Sequence, residues 1–228
     1  MKRLAGISLF KDAGVDLTPF EARSRWRHVL PDEVLVDFDD RSSDVFFLVA
    51  GEVRVCMRTP SGREVIFGDL RAGQFFGELA ALDGTPRSAN VTALTRGEVC
   101  IMSSPVFREM VFHSEALTDR VFRLLTSRVR ELNGRLMELV VLDLRHRLYS
   151  ELLRLSVTRA GHANERVITP PPFHHVLASR IGCRREQVTR EFTTLDQEGL
   201  IERTRGALVL KRPEVLQARV ATALREGG

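Results

Sequence analysis

The 228-residue sequence predicts an α+β fold in three parts: an N-terminal antiparallel β-roll over 1–111, one long helix over 112–143, and a C-terminal winged helix-turn-helix over 144–228. Three observations carry this reading. Short apolar runs recur between turn signals from Leu35 to Met102, the pattern of an antiparallel roll or barrel. From Ser104 onward the apolar period changes from two to about three and a half, the mark of helix. Further on, two helix-length segments meet at Gly182 and are followed by two short apolar runs.

In order along the chain, a short polar lead-in is expected to be helical. Segments 34–38, 45–50, 53–57 and 65–67 read as strands, separated by turn signals at 39–43, at Gly51-Glu52 and at 59–62. Asp40 stands in the first of these turns, and aspartate tolerates a left-handed backbone better than most residues. In the long helix Phe122, Leu125, Val129, Leu132, Leu136 and Leu139 are spaced 3-4-3-4-3. Such a stripe also suits the core-facing side of a helix packed on the roll, but its regularity favours a parallel coiled coil with a second copy, hence a homodimer. Gly134 weakens this helix locally and marks a place for bending or re-registration. Asp143 closes the helix. A further helix over 144–157, a polar stretch over 158–165, a strand at 167–169 and a helix start at Pro170-Pro171-Pro172 follow.

Composition narrows the function classes. With 43% hydrophobic and 28% charged residues the chain is globular. No segment approaches the roughly 18–20 apolar residues of a membrane span, and residues 1–10 lack the apolar core of a secretory signal. A cytoplasmic protein without a membrane partner is expected. Cys56, Cys100 and Cys183 have no paired spacing, so neither disulfides nor a metal centre is implied. Residues 144–228 carry 15 basic and 9 acidic side chains, against 19 and 21 in 1–143. A basic back half suits a polyanionic partner.

Residues 77–92 read Gly-Glu-Leu-Ala-Ala-Leu-Asp-Gly-Thr-Pro-Arg-Ser-Ala-Asn-Val-Thr. A carboxylate, Glu78, and a guanidinium, Arg87, flank a turn of small residues, with the Ser88 hydroxyl beside the arginine. These parts suit a sugar phosphate. The planar guanidinium binds phosphate oxygens in pairs, a carboxylate accepts from a ribose hydroxyl, and turn amides add an anion nest. The run resembles the phosphate-binding cassette of cyclic-nucleotide-binding domains, found in the bacterial CRP/FNR (catabolite activator) regulators and in the regulatory subunits of cyclic-AMP-dependent kinase. The resemblance implies nucleotide contacts from Gly77, Glu78, Leu79, Arg87, Ser88 and Ala89. It places Leu132 and Asn133 where the cyclic-AMP activators hold the adenine amine. Leu132 cannot hydrogen-bond, while Asn133 suits adenine or guanine, so cyclic AMP is expected first and cyclic GMP second as effector.

Within 173–201, Val176, Leu177 and Ile181 point inward on the first helix and Val188, Phe192 and Leu195 on the second, with Gly182 at the bend. Arg185, Glu186 and Arg190 lie on the opposite face. The segment resembles the recognition helix of CRP-type regulators, whose Arg-Glu-x-x-x-Arg pattern reads base edges in the major groove. The likeness implies double-stranded DNA as partner, a palindromic operator with G-T-G-A half-sites, and contacts from Arg184, Arg185, Glu186, Gln187, Thr189 and Arg190. It also implies RNA polymerase as a further partner. Arg203, Arg205, Lys211 and Arg212 surround the expected wing and suit phosphate contact. His174 and His175 have no partnered Cys, Glu or third His at ligand spacing and read as ordinary helix-start residues. No nucleophile elbow, Walker loop or metal signature is present, so no catalytic or metal residue is expected. Two other readings remain: a regulator of the same fold with a different effector or none, and a cyclic-nucleotide-binding regulatory subunit acting on a protein partner.

Overall fold

A computed structural model of the protein describes residues 4–59 and 64–226. A single 3₁₀ turn at Leu4–Gly6 is followed by α1 (Thr18–Ala22), β1 (Arg25–Val29), β2 (Val34–Val36), β3 (Val45–Ala50), β4 (Glu52–Arg58), β5 (Glu64–Arg71) and β6 (Phe75–Phe76). Then come α2 (Glu78–Asp83), β7 (Asn90–Ala93), β8 (Gly97–Met102), α3 (Ser104–Phe112) and the long α4 (Glu115–Val141). The strands form two antiparallel sheets, ordered β1-β8-β3-β6 and β2-β7-β4-β5.

Strand β3 explains why the roll is closed on both sides. Successive side chains of a strand point to opposite faces. Phe46 and Leu48 enter the space between the sheets with Val53, Phe76, Val91 and Val99. Val45 and Phe47 enter a second cluster with Leu4, Phe10, Phe107 and Leu117 from the helical elements. The unbroken apolar run of β3 follows from burial on both faces.

The polar lead-in is not wholly helical, since Arg25–Val29 is a strand paired with β8. Its Arg-Trp-Arg-His-Val sequence hides the period, because only Val29 is fully buried. Asp37 and Phe38 lie beyond β2. The left-handed residue of the following turn is Asp39, at φ 65°, rather than Asp40. Of the turn expected at 59–62, Pro60, Ser61 and Gly62 lie outside the described residues.

The chain divides into two compact units, residues 1–128 and 129–228. The division falls inside α4 rather than after residue 111 or residue 143. The helix itself is continuous through Gly134. The second unit continues with α5 (Leu144–Leu155), β9 (Val157–Arg159), β10 (His162–Ile168), α6 (His174–Ile181), α7 (Arg185–Gln197), β11 (Ile201–Arg203), β12 (Leu208–Leu210) and α8 (Pro213–Glu226). Asp143 caps α5, its carboxylate accepting from the His146 N–H at 2.9 Å, as an N-cap residue does. The polar stretch expected over 158–165 is largely strand. β9 and β10 pair around Gly161, and the sheet order is β11-β12-β10-β9.

Gly182 is left-handed at φ 70° and ends α6, as expected of the bend. Leu177 and Ile181 enter the core with Val188, Phe192 and Leu195 of α7 and Tyr149 of α5. Val176 is only half-buried, and Leu177 and Ala178 take the inward positions. A polar network ties α5 to its neighbours. Arg154 donates to both carboxylate oxygens of Glu138 on α4, at 2.6 and 2.7 Å, and also to Glu151. Glu151 in turn accepts from Arg180 of α6 at 3.3 Å. Tyr149 donates to Glu191 of α7 at 2.6 Å.

Candidate functional site

The cassette between β6 and β7 is built around an arginine turned inward. Arg87 is 3% exposed. Its Nε donates to Ser42 Oγ at 3.1 Å, its Nη1 to the Gly77 carbonyl at 3.1 Å and its Nη2 to the Asp44 carbonyl at 2.8 Å. The guanidinium also lies over the Phe46 ring, 5.8 Å from the centroid. Every one of these acceptors is neutral. Guanidinium carries five N–H donors, so two remain among the described residues. Burial pulls the Arg87 pKa down while Asp44, Asp40 and Glu78 push it up, yet arginine stays charged. The result is a buried cation whose direct hydrogen bonds all go to neutral oxygens.

Gly77 makes this cradle possible. Its φ of 85° is left-handed, and a Cβ there would meet Arg87 Nη1 at 2.7 Å and the Asp44 carbonyl at 2.8 Å. Only glycine offers both the conformation and the space. At the far end Asn90 is buried, accepting from the Phe38 N–H at 3.0 Å.

Glu78 is 1% exposed. Its Oε1 accepts from Arg128 Nη1, and its Oε2 has no hydrogen-bond partner. Burial raises the Glu78 pKa above the usual carboxylate range, against the pull of Arg128 and Arg87. Arg128 comes from α4 and also donates to the Phe75 carbonyl at 3.3 Å. Side by side, a buried cation with unused donors and a buried carboxylate oxygen with unused lone pairs suit a ligand bringing both an anion and a hydroxyl.

The structure thus brings Gly77, Glu78 and Arg87 together. Leu79 and Ser88 are exposed beside them and Ala89 is buried. Leu132 and Asn133 lie further along α4, in the second unit, and both are exposed. The sequence pattern does not mark Ser42, Asp44 or Arg128 as site residues, although all three contact Arg87 or Glu78. Arg128 was visible as a charge off the apolar seam, whereas Ser42 and Asp44 lie over 40 residues from Arg87 and reach it only through the fold.

Arg184, the N-cap of α7, is exposed, as are Arg185, Glu186, Thr189 and Arg190 on the helix, opposite the buried Val188, Phe192 and Leu195. Among the described residues no ion pair engages Arg185, Glu186 or Arg190. Gln187 is half-buried, and its side-chain carbonyl accepts the Arg184 N–H at 3.0 Å, capping the helix. On α4, Phe122, Val129, Leu132, Leu136 and Leu139 are exposed, at 51–63%. Leu125 departs from the expected seam and packs against the roll's own core. No group of three or more metal-ligating side chains occurs among the described residues.

Two family models match in the order sensor then reader. The cyclic nucleotide-binding domain matches residues 26–114 and the Crp-like helix-turn-helix domain residues 146–219. The chain belongs to the CRP/FNR family. Among CRP/FNR relatives, the chain is 29% identical over 166 residues to the cAMP-activated global transcriptional regulator Vfr of Pseudomonas aeruginosa, covering 71% of this chain and 78% of Vfr. It is 27% identical over 169 residues to the CRP-like cAMP-activated global transcriptional regulator of Mycobacterium tuberculosis, covering 73% and 74%. A CooA variant from Carboxydothermus hydrogenoformans shares the fold at a TM-score of 0.75 and 18% identity, over 88% of this chain and 89% of that one. As a CRP-like cyclic-nucleotide-binding transcription regulator, the protein has relatives that are regulators rather than enzymes.

Proposed function

We propose that the protein is a homodimeric, sequence-specific DNA-binding regulator whose effector is cyclic AMP, with cyclic GMP second. The observation that carries this is the pairing of a buried Arg87, held only by neutral oxygens, with the unpartnered Glu78 Oε2. A cyclic phosphate supplies the anion for the first and a ribose hydroxyl the donor for the second. Both cAMP-activated relatives support the choice of nucleotide.

Arg128 gives the ligand a route to the long helix. A ribose that takes Glu78 as its acceptor alters the partner that holds α4 to the cassette. The exposed apolar face of α4 pairs with a second copy, and re-registration of that pair sets the two recognition helices about 34 Å apart for a palindrome. Arg185 and Arg190 take guanine acceptors and Glu186 a cytosine amine. Operator half-sites resembling G-T-G-A, and contact with RNA polymerase, complete this reading.

Titration with each nucleotide, followed by binding to a palindromic G-T-G-A duplex with and without it, tests the proposal. One nucleotide is expected to bind and to tighten DNA association manyfold, with reciprocal coupling. Duplex binding without any response to either nucleotide would refute the effector and leave a regulator of another signal. Replacing Asn133 by Ala should shift the cyclic AMP to cyclic GMP affinity ratio; an unmoved ratio would remove Asn133 as base reader.

A further inference from the structure

His174 is not an ordinary helix-start residue. It opens α6, yet its side chain joins two other elements. Nδ1 lies 2.8 Å from Thr189 Oγ1 on α7, and Nε2 lies 3.2 Å from Arg203 Nη2 on β11. The hydrogen positions follow from the partners. The Thr189 hydroxyl donates to the Arg185 carbonyl at 3.1 Å, so it accepts from Nδ1. A guanidinium can only donate, so Nε2 accepts. The two contacts together select one neutral tautomer.

The ring also packs 4.6 Å from the Phe192 ring, and the Arg203 guanidinium stacks over that same ring at 4.9 Å. The charged groups facing the imidazole are Arg203 from the wing and Arg185 from α7, and with burial they hold its pKa below the usual histidine range. Around this cluster opens a groove of 410 Å³, lined by Phe173, His175, Arg185, Arg203 and Thr204 among others. No carboxylate pairs with Arg203 among the described residues. The arginine is therefore held in a fixed place with its charge unspent.

We propose that His174 is a positioning residue for DNA binding: as a neutral link between Thr189 and Arg203 it holds the wing arginine in register with the recognition helix, so that Arg203 engages a backbone phosphate while Arg185 and Arg190 engage bases. This rests on the DNA-binding reading above. Its particular content is that an uncharged side chain controls an electrostatic contact.

The test measures duplex affinity against salt concentration for the full chain, with cyclic AMP, with cyclic GMP and without either. His174→Ala, Arg203→Ala and the double variant are compared with wild type. Each phosphate contact contributes about 0.9 to the slope of log affinity against log salt. Arg203→Ala should lower the slope by about that much per half-site. His174→Ala should weaken binding about five- to tenfold, the net worth of about one ordinary hydrogen bond, and lower the slope nearly as much, although it removes no charge. The double variant should bind about as Arg203→Ala does. His174→Gln, whose amide oxygen can accept from Arg203, should recover much of the slope, which guards against a folding defect in the alanine variant. A wild-type slope in His174→Ala, or additive losses in the double variant, would overturn the proposal while leaving DNA binding intact. Absence of wild-type duplex binding under all three conditions would overturn the DNA-binding reading and this proposal with it.

Discussion

Removing Arg128 while keeping Glu78 should destabilise the β-roll, and removing the carboxylate as well should restore it. The Glu78 side chain is 2% exposed and that of Arg128 33%. In Arg128→Met the carboxylate stays buried with neither oxygen paired. Breaking a buried pair from one side costs about 3–5 kcal/mol, and the partial exposure of Arg128 places this case near the lower end, about 3 kcal/mol. For a chain of this size that lowers Tm by about 6–12 °C. Glu78→Gln alone should cost less, because Arg128 reaches solvent. The double variant Glu78→Gln, Arg128→Met should lie within about 1 kcal/mol of wild type, since replacing both charges is often neutral. Thermal unfolding by far-UV circular dichroism, without nucleotide, measures all four.

The pH dependence has a definite sign. The folded pKa of Glu78 lies above its unfolded value because of burial, and loss of Arg128 raises it further. A raised carboxyl penalises the folded state as pH rises through the window between the unfolded and folded pKa values. The deficit of Arg128→Met should therefore be smaller at about pH 5.5 than at about pH 8. Additive losses in the double variant, or a deficit that grows on acidification, would refute the assignment of the pair.

Arg185→Ala should cost about 1–3 kcal/mol of operator affinity and leave nucleotide binding intact; equal weakening on every DNA sequence would reduce Arg185 to a phosphate contact. Leu136→Glu, on the exposed face of α4, should halve the mass seen by light scattering to that of one 25.7 kDa chain, and an unchanged mass would place the dimer interface elsewhere. Burial pushes the Cys56 thiol up to about 12 and the Cys100 thiol up to about 11, so iodoacetamide should modify only the partly exposed Cys183 in the native protein; mass spectrometry counts the adducts. Asp143→Ala should cost about 1 kcal/mol by uncapping α5. Burial would raise the Asp143 pKa, but the His146 N–H and ring lower it on balance, so that loss should fade as pH falls through the folded pKa.

Periodicity made the strands, the long helix and the bend at Gly182 legible, because each buries a face at a fixed spacing. It failed at β1, where Arg25, Arg27 and His28 stay exposed and leave little alternation to read. It also misread Leu125. A helix that touches its own roll at one end and presents a free apolar face at the other carries one unbroken stripe, and spacing alone does not show where the first gives way to the second. At the cassette, residue types showed which chemistry was available but not its wiring. The Ser42 and Asp44 contacts to Arg87, and the Arg128 contact to Glu78, join segments 43 to 50 residues apart. The role of His174 was hidden for a similar reason, since its partners lie 15 and 29 residues away on two different elements.

The bond between Arg154 and Glu138 has a consequence for recombining this protein with its relatives. Residue 143 looks like the place to join a foreign sensor to this DNA-reading module, because a new helix starts there. A graft cut at that point would carry Arg154 and Glu151 but discard Glu138, leaving the arginine without the carboxylate that anchors it to the end of the long helix. A graft cut near residue 129 keeps all three together. The transplantable piece therefore includes the last turns of the long helix, and chimaeras that honour that seam should fold with the reader intact.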